Sequence, residues 1–388
     1  MSMKVLFCTN QFASVKNGPA KFAVLLMELQ KQRSAETGVE IRILTEDQTP
    51  HPFSDQAVMR VHVPLAGLLP QPLLYLSRAK SYLKEAHRIR KTIFDFDVLV
   101  FNNAISALGV RQNRPYRVYG MINDYNNLEP DFFRQYGIKA YSSRLLLRKL
   151  EEKAAQKVDV VVANSDFLAA KIVSGYDVPS ARVAKFYKAI NLDKINYRER
   201  TLSAGATVDI LYVKTNYQRG GLPVLLQALA QLKVRAFKVT VIGSGAEFLE
   251  FYKNNFGAVP SNVQLSLEGR QPQEIVYSAM DQADLFCVPA LTEALGVANI
   301  EAMAHGLPVV TTDAGGIPEV TREGANAWVA EANSVSSLAA TITACLSSPS
   351  ERLIKARKAR NFIEHNFSRE SAFSNYIALL KKLPNENY

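Results

Sequence analysis

Strand-like apolar runs alternate with helical apolar patterns along this chain, and the alternation breaks off once and starts again. In the first half, strands read at Lys4–Thr9, Glu40–Thr45, Phe96–Phe101, Tyr116–Ile122 and Val158–Asn164. Phe22, Leu25, Leu26 and Leu29 recur at helical spacing after a polar loop, Gln11–Gly18, and further helices read at Ser77–Thr92 and Arg144–Gln156. A charged stretch poor in strand formers, Asn191–Ala206, interrupts the rhythm. It resumes with strands at Val208–Val213, Phe237–Ile242, Ala283–Val288 and Pro308–Thr312, and helices at Leu222–Leu232, Glu274–Gln282 and Ala298–His305. Short buried strands separated by helices build parallel sheets, because a parallel pair needs a long crossover that a helix supplies. A chain of 388 residues exceeds one ordinary core and suits two domains. The pattern predicts an α/β protein with two Rossmann-like doubly wound domains, residues 1–198 and 199–366. A terminal piece, 367–388, holds a helix at Arg369–Lys382 with Ala372, Tyr376, Leu379 and Leu380 on one side.

Doubly wound sheets take ligands in the loops at the carboxyl ends of their strands. The most informative such loop lies in Pro289–Glu319, where Glu293 and Glu301 stand with seven residues between them. Gly296 separates the two, and Ala298–Ala304 reads as the opening of a helix. The N–H groups of Leu295, Gly296 and Val297 then lie at a helix N-terminus, suited to phosphate oxygens. A carboxylate on each side of a phosphate cradle suits a nucleotide-sugar, with ribose at one side, hexose at the other and diphosphate between.

This passage resembles the glutamate-pair motif of the retaining glycosyltransferases with the GT-B fold, as in glycosyltransferase family 4 (glycosyl transferases group 1). The resemblance covers nearly the whole chain. Val241-Ile242-Gly243-Ser244-Gly245 is similar to the family's strand and Gly-x-Gly loop, and Leu267-Glu268-Gly269-Arg270 to the turn that reads the base. Ala314-Gly315-Gly316-Ile317-Pro318-Glu319 is similar to its GGIPE turn, and Ala163-Asn164-Ser165 and Asn191-Leu192-Asp193 fall where its first domain gives way to the linker. The resemblance implies two domains facing each other across a cleft, with the nucleotide-sugar on the C-terminal domain and the acceptor on the N-terminal one. It implies that the terminal helix crosses back to the first domain. It assigns donor binding to Gly18, Gly243, Gly245, Arg270, Leu295, Gly296, Val297 and Glu301, and the acceptor side to Asn17, Pro19 and Asp124. Glu293, Lys214, Arg219 and Asn123 are its catalytic candidates.

Three departures qualify the match. Family members usually carry Arg and then Lys, about five residues apart, to grip the diphosphate; here the order is Lys214 and then Arg219. Both stay cationic, but a guanidinium fork and an ammonium point charge differ in geometry. Asn17-Gly18-Pro19 stands where Gly-Gly is common, and read alone it is a turn signal. Asn123 precedes Asp124 where many relatives have His. An amide exchanges no proton, yet it can hydrogen-bond a sugar hydroxyl. In the retaining front-face transfer that the resemblance implies, the leaving diphosphate takes the acceptor proton, so no protein base is required. No metal and no cofactor beyond the UDP- or GDP-sugar donor are expected.

Composition bounds the setting. With 48% hydrophobic residues the chain can bury a normal core. No apolar run approaches a membrane span, and Val5–Cys8 is too short for a signal-peptide core. Three scattered cysteines, Cys8, Cys287 and Cys345, suggest reduced thiols and a cytoplasmic enzyme. The five histidines show no metal-ligand spacing, and Gly-x-Ser-x-Gly and Walker sequences do not occur. The net charge of +10 is uneven: residues 1–200 hold 30 Lys and Arg against 19 Asp and Glu. An anionic partner for the first half follows, either a glycan or lipid-linked acceptor or an anionic membrane face. Apolar Pro64–Leu76 precedes a helix bearing Arg78, Lys80, Lys84, Arg88, Arg90 and Lys91, which suggests peripheral attachment to the inner face of the cytoplasmic membrane. Only Tyr82 is aromatic between Arg78 and Lys91, which argues against nucleic acid. Competing functions are a nucleotide-sugar epimerase or a phosphorylase on the same fold, or a non-catalytic nucleotide-sugar or membrane-surface binding module. The phosphorylase would need a pyridoxal-phosphate lysine, which no motif marks.

Overall fold

The computed structural model describes residues 2–13, 18–201, 207–233 and 235–382. In chain order the elements are β1 (Met3–Thr9), α1 (Gly18–Thr37), β2 (Val39–Thr45), β3 (Val58–Arg60), α2 (Gln71–Thr92), β4 (Val98–Phe101), β5 (Arg117–Ile122), α3 (Ile138–Lys157), β6 (Val160–Ala163), α4 (Asp166–Tyr176) and β7 (Val183–Lys185). They continue with β8 (Val208–Val213), α5 (Leu222–Gln231), β9 (Phe237–Ile242), α6 (Glu247–Phe256), β10 (Val263–Gly269), α7 (Gln273–Gln282), β11 (Leu285–Cys287) and α8 (Val297–Ala304). The chain closes with β12 (Val309–Thr312), α9 (Ile317–Thr321), β13 (Trp328–Ala330), α10 (Val335–Ser347), α11 (Pro349–Phe367) and α12 (Arg369–Lys381).

Two units form, Met1–Ala189 with Arg369–Tyr388, and Ile190–Ser368. The first holds a seven-stranded sheet in the order β3-β2-β1-β4-β5-β6-β7, the second a six-stranded sheet in the order β10-β9-β8-β11-β12-β13. Every pairing is parallel, as strands buried on both faces favour. In each sheet the chain works outward from one central strand, then returns to its other side. That reversal opens a ligand crevice beside β1 and β4 in one unit and beside β8 and β11 in the other.

The first unit ends at Ala189, ahead of the boundary expected at 198. The reason is local bonding: the Ile190 N–H donates to the Phe367 carbonyl, the Arg198 N–H to that of His305, and buried Arg200 to that of Met280. Part of the expected linker, 202–206, lies outside the described residues. Within the first unit, α12 inserts Tyr376 among Phe7, Phe22 and Phe186, its ring centroid 5.2 Å from Phe22 and 5.3 Å from Phe186. The Arg117 guanidinium donates to the Leu380 and Lys382 carbonyls, satisfying the open end of that helix.

The region expected to meet a membrane differs from its sequence reading. Helix α2 begins at Gln71 rather than Ser77, because Pro72 in its first turn needs no N–H partner. Of the six cations expected to meet an anionic membrane, Arg78 pairs with Glu46 at 2.6 Å, Arg88 with Glu85 at 2.5 Å and Arg90 with Asp95 at 2.8 Å. Leu65, Leu68, Leu73 and Leu76 are exposed. Among the described residues no helix is long and apolar enough to cross a membrane.

Candidate active site

In the second unit, the loops after β8, β9, β11 and β12 converge through glycines that admit close backbone contact. Gly243 has φ +108°, and a Cβ there would lie 2.7 Å from the Lys214 carbonyl. Gly221 has φ +68°, and its Cβ would come within 2.0 Å of the Pro289 carbonyl oxygen. Lys214 follows β8, and its ammonium donates to Glu293 Oε2. The other carboxylate oxygen of Glu293 accepts from the Ala294 N–H at 3.0 Å. Arg219 is fixed through its backbone: its N–H donates to Asn216 Oδ1 at 2.8 Å, and its carbonyl accepts from the Leu291 N–H at 2.7 Å. Lys214 and Glu293 thus flank the crevice where the strand order reverses.

Gly296, with φ +88°, opens α8 without a side-chain cap, and its carbonyl accepts from the Asn299 N–H at 3.0 Å. Leu295 is buried and Val297 half exposed on either side of it. Glu301, one turn into α8, accepts from Gln273 Nε2 at 3.0 Å and the Tyr277 hydroxyl at 3.2 Å, both through Oε1. Arg270 is exposed just past β10. The Gly245 N–H donates to Glu247 Oε1 at 3.0 Å, and Ser244 Oγ donates to the Lys214 carbonyl at 2.9 Å. The Gly-x-Gly turn therefore braces Lys214, and the Glu247 carboxylate holds the N–H of Gly245, a residue expected at the donor site.

In the first unit, Asn17 lies outside the described residues. Gly18 and Pro19, expected in a loop, instead open α1. Proline needs no N–H partner in a first turn, which lets the helix begin there. Asn123 and Asp124 follow β5. Asp124 is exposed, its Oδ1 accepting from the Asn126 N–H. The Asn123 amide was expected to face a sugar hydroxyl, but both its ends have protein partners. Nδ2 donates to the Asn102 carbonyl at 2.8 Å, and Oδ1 accepts from Lys188 Nζ at 2.6 Å. Lys188 also donates to Asn102 Oδ1, Asn102 Nδ2 donates to Thr9 Oγ1, and Asn164 Nδ2 donates to the Asn123 carbonyl. This network joins the carboxyl ends of β1, β4, β5 and β6. Beside it a cavity of about 200 Å³ is lined by Tyr75, Arg78, Asn127, Arg144 and Glu151 among others.

Lys188 and Glu151 were not legible in the sequence, because neither sits in a motif. Burial pulls the Lys188 ammonium down to about 7. Burial pushes the Glu151 carboxyl up to about 7, even though the Tyr176 hydroxyl donates to it at 2.5 Å. The two titrations have opposite consequences. Glu151 is raised on folding, so its contribution is complete below its ordinary 4.5 and lost as pH climbs through 7. Lys188 is lowered, so its contribution is complete above its ordinary 10.5 and lost as pH falls through 7. Urea unfolding should show Glu151→Gln removing a fall in stability between about pH 4.5 and 7, and Lys188→Met removing a rise between about pH 7 and 10.5. A parent-like slope in either variant would refute that group's part.

Among the described residues, no cluster of three or more His, Cys, Asp and Glu side chains is arranged to hold a metal ion. Cys8, Cys287 and Cys345 are buried free thiols, Cys345 pushed up to about 12 by burial. His305 is fully buried, its Nδ1 2.8 Å from Asp281, so it is a packed residue of the fold.

Two family descriptions match adjoining halves of the chain, Glycosyltransferase Family 4 over residues 26–194 and Glycosyl transferases group 1 over residues 193–364. The chain belongs to the family 4 glycosyltransferases of GT-B fold. Among the relatives of this family 4 chain is the amylovoran biosynthesis glycosyltransferase AmsK of Erwinia amylovora, 29% identical over 53% of this chain and 52% of that protein. The chain spans about half the length of the curated relatives it matches. Two solved structures share the GT-B fold. Sucrose-phosphate synthase from Thermosynechococcus elongatus superposes with a TM-score of 0.75 at 15% identity, covering 98% of both chains. HepE of Anabaena, solved in complex with UDP-glucose, superposes with a TM-score of 0.67 at 17% identity, covering 98% of this chain and 100% of that one.

Proposed function

We propose that this chain is a hexosyltransferase that moves a sugar, with retention of configuration and without a metal, from a UDP- or GDP-sugar to a glycan or lipid-linked acceptor in cell-surface polysaccharide synthesis. The observation that carries this reading is the meeting of Lys214, Glu293 and the Gly296-capped end of α8 at one crevice. Cation, helix N-terminus and carboxylate there match diphosphate and sugar hydroxyls in turn. The UDP-glucose complex of HepE supports a uridine donor, and the biosynthetic role in the name of AmsK supports a polysaccharide acceptor. Acceptor binding belongs to the first unit, at the cavity beside Asn123 and Asp124. The exposed leucines at the start of α2, followed by Lys80, Lys84 and Lys91, support peripheral contact with an anionic membrane.

A thermal-shift panel of UDP- and GDP-sugars tests the donor class. A true donor at 100 times its Kd should add about 2.7 kcal/mol of stability. Glu301→Ala should weaken binding of the free nucleotide diphosphate by roughly 10- to 100-fold, since a charged acceptor of hydroxyl hydrogen bonds is lost. Unchanged affinity in a folded variant would remove Glu301 from the donor site. Conversion of a nucleotide-sugar to its epimer without an acceptor would favour the epimerase instead.

A further inference from the structure

Helices α7 and α8 meet along a polar seam that no motif announced. Gln273, Tyr277 and Asp281 stand one turn apart on α7, and Glu301 and His305 stand one turn apart at α8. Residues spaced by four share a helix face, so the two rows interlock side chain by side chain. At the inner end, the fully buried His305 ring places Nδ1 2.8 Å from Asp281 and lies 5.0 Å from the Tyr277 ring. At the outer end, Gln273 Nε2 and the Tyr277 hydroxyl both reach Glu301 Oε1, at 3.0 and 3.2 Å. We propose that Gln273 and Tyr277 are positioning residues that fix the Glu301 carboxylate for a ribose diol, and so make this site select ribonucleotides. This inference rests on the donor reading above.

A glutamate side chain has three rotatable bonds, and on a helix surface it would sample several directions. Two donors from a second helix, converging on one carboxylate oxygen, set its plane. The hydroxyl of Tyr277 cannot drift, because its ring is held against His305. Its phenol is pushed well up, first by burial and then by the Glu301 carboxylate beside it, so it remains a donor throughout the working pH range. A fixed carboxylate discriminates sharply. A ligand lacking the hydroxyls forgoes hydrogen bonds that a carboxylate held in one plane is placed to accept, whereas a swinging carboxylate would find water instead.

The experiment measures affinities of UDP, GDP and their 2′,3′-dideoxy forms by calorimetry, for the parent and for Gln273→Met/Tyr277→Phe. The parent should prefer the ribo form by roughly 10- to 100-fold, and the double variant should narrow that preference to less than about fivefold. A general loss of stability would lower both affinities and leave their ratio alone. An unchanged ratio in the folded double variant overturns the proposal. Urea unfolding of Tyr277→Phe, Glu301→Gln and their combination supplies an arm that needs no nucleotide. Non-additive shifts of the midpoint support the contact, and additive shifts overturn the positioning role. A parent that binds neither nucleotide overturns the ribose assignment through the donor reading itself, and the unfolding cycle still judges the contact.

Discussion

Glu293→Gln should leave nucleotide diphosphate affinity near that of the parent and lower sugar transfer by roughly 10²- to 10³-fold, the range seen when one preorganised charge or donor is removed from a reacting centre. Glutamine keeps the size of the side chain and one acceptor oxygen. It loses the charge that draws in the Lys214 ammonium, and its amide group no longer matches both Lys214 and the Ala294 N–H. On the proposed reading Glu293 faces the hexose, so the loss should fall on turnover rather than on binding the nucleotide. Lys214→Met should show a complementary loss, because charge grows on the leaving diphosphate as the bond breaks. If the two act as one unit, the double variant should be little worse than the poorer single one. Steady-state turnover with the preferred donor, beside calorimetry with the free diphosphate, checks both. Parent-like turnover in Glu293→Gln would exclude it from the reaction.

Gly315→Ala should be among the most destabilising single substitutions in the second unit. Gly315 has φ +60°, and a Cβ built on it lies 2.0 Å from the Glu293 carbonyl oxygen. The obstacle is backbone, so no side chain can swing aside. Left-handed strain alone costs about 1–2 kcal/mol. Displacing the Glu293 loop should bring the total to about 4 kcal/mol or more, a large part of the ~5–15 kcal/mol that holds a typical protein folded. Gly38 is the internal control: its φ is +61°, close to that of Gly315, and nothing lies within 4 Å of its built Cβ. Gly38→Ala should therefore carry only the backbone term. Urea midpoints for the two variants decide the matter, and equal shifts would show that the close approach to Glu293 is not what Gly315 provides. Any surviving folded Gly315→Ala should also have lost sugar transfer, since the carbonyl it displaces belongs to Glu293.

The inner strands of both sheets were legible because buried parallel strands read as unbroken apolar runs, and Val208–Val213 and Phe237–Ile242 fall where the pattern puts them. Short edge strands such as Val58–Arg60 and Val183–Lys185 were not, since three residues carry no period. Helix starts were misplaced where prolines stood, at Gln71 and at Gly18, because Pro reads as a breaker yet suits a first turn. The pairing of Arg78 and Arg90 on α2 was not legible, because sequence spacing does not show that Glu46 and Asp95 reach them.

By itself, the sequence determined the family, the two-sheet architecture and the residue types at the crevice beside β8 and β11. Those depend on local hydrophobic periods and on glycines and carboxylates at short fixed spacings. Only the tertiary structure decided the partners of those residues. Lys214 meets Glu293, Glu301 meets Gln273 and Tyr277, and Asn123 meets Lys188, each through side chains distant in the chain. Such pairs are set by strand order and helix packing, which place the ends of non-consecutive elements side by side. The shifted protonation of Glu151 and Lys188 belongs to the same class, because desolvation depends on what covers a group and not on its neighbours in sequence.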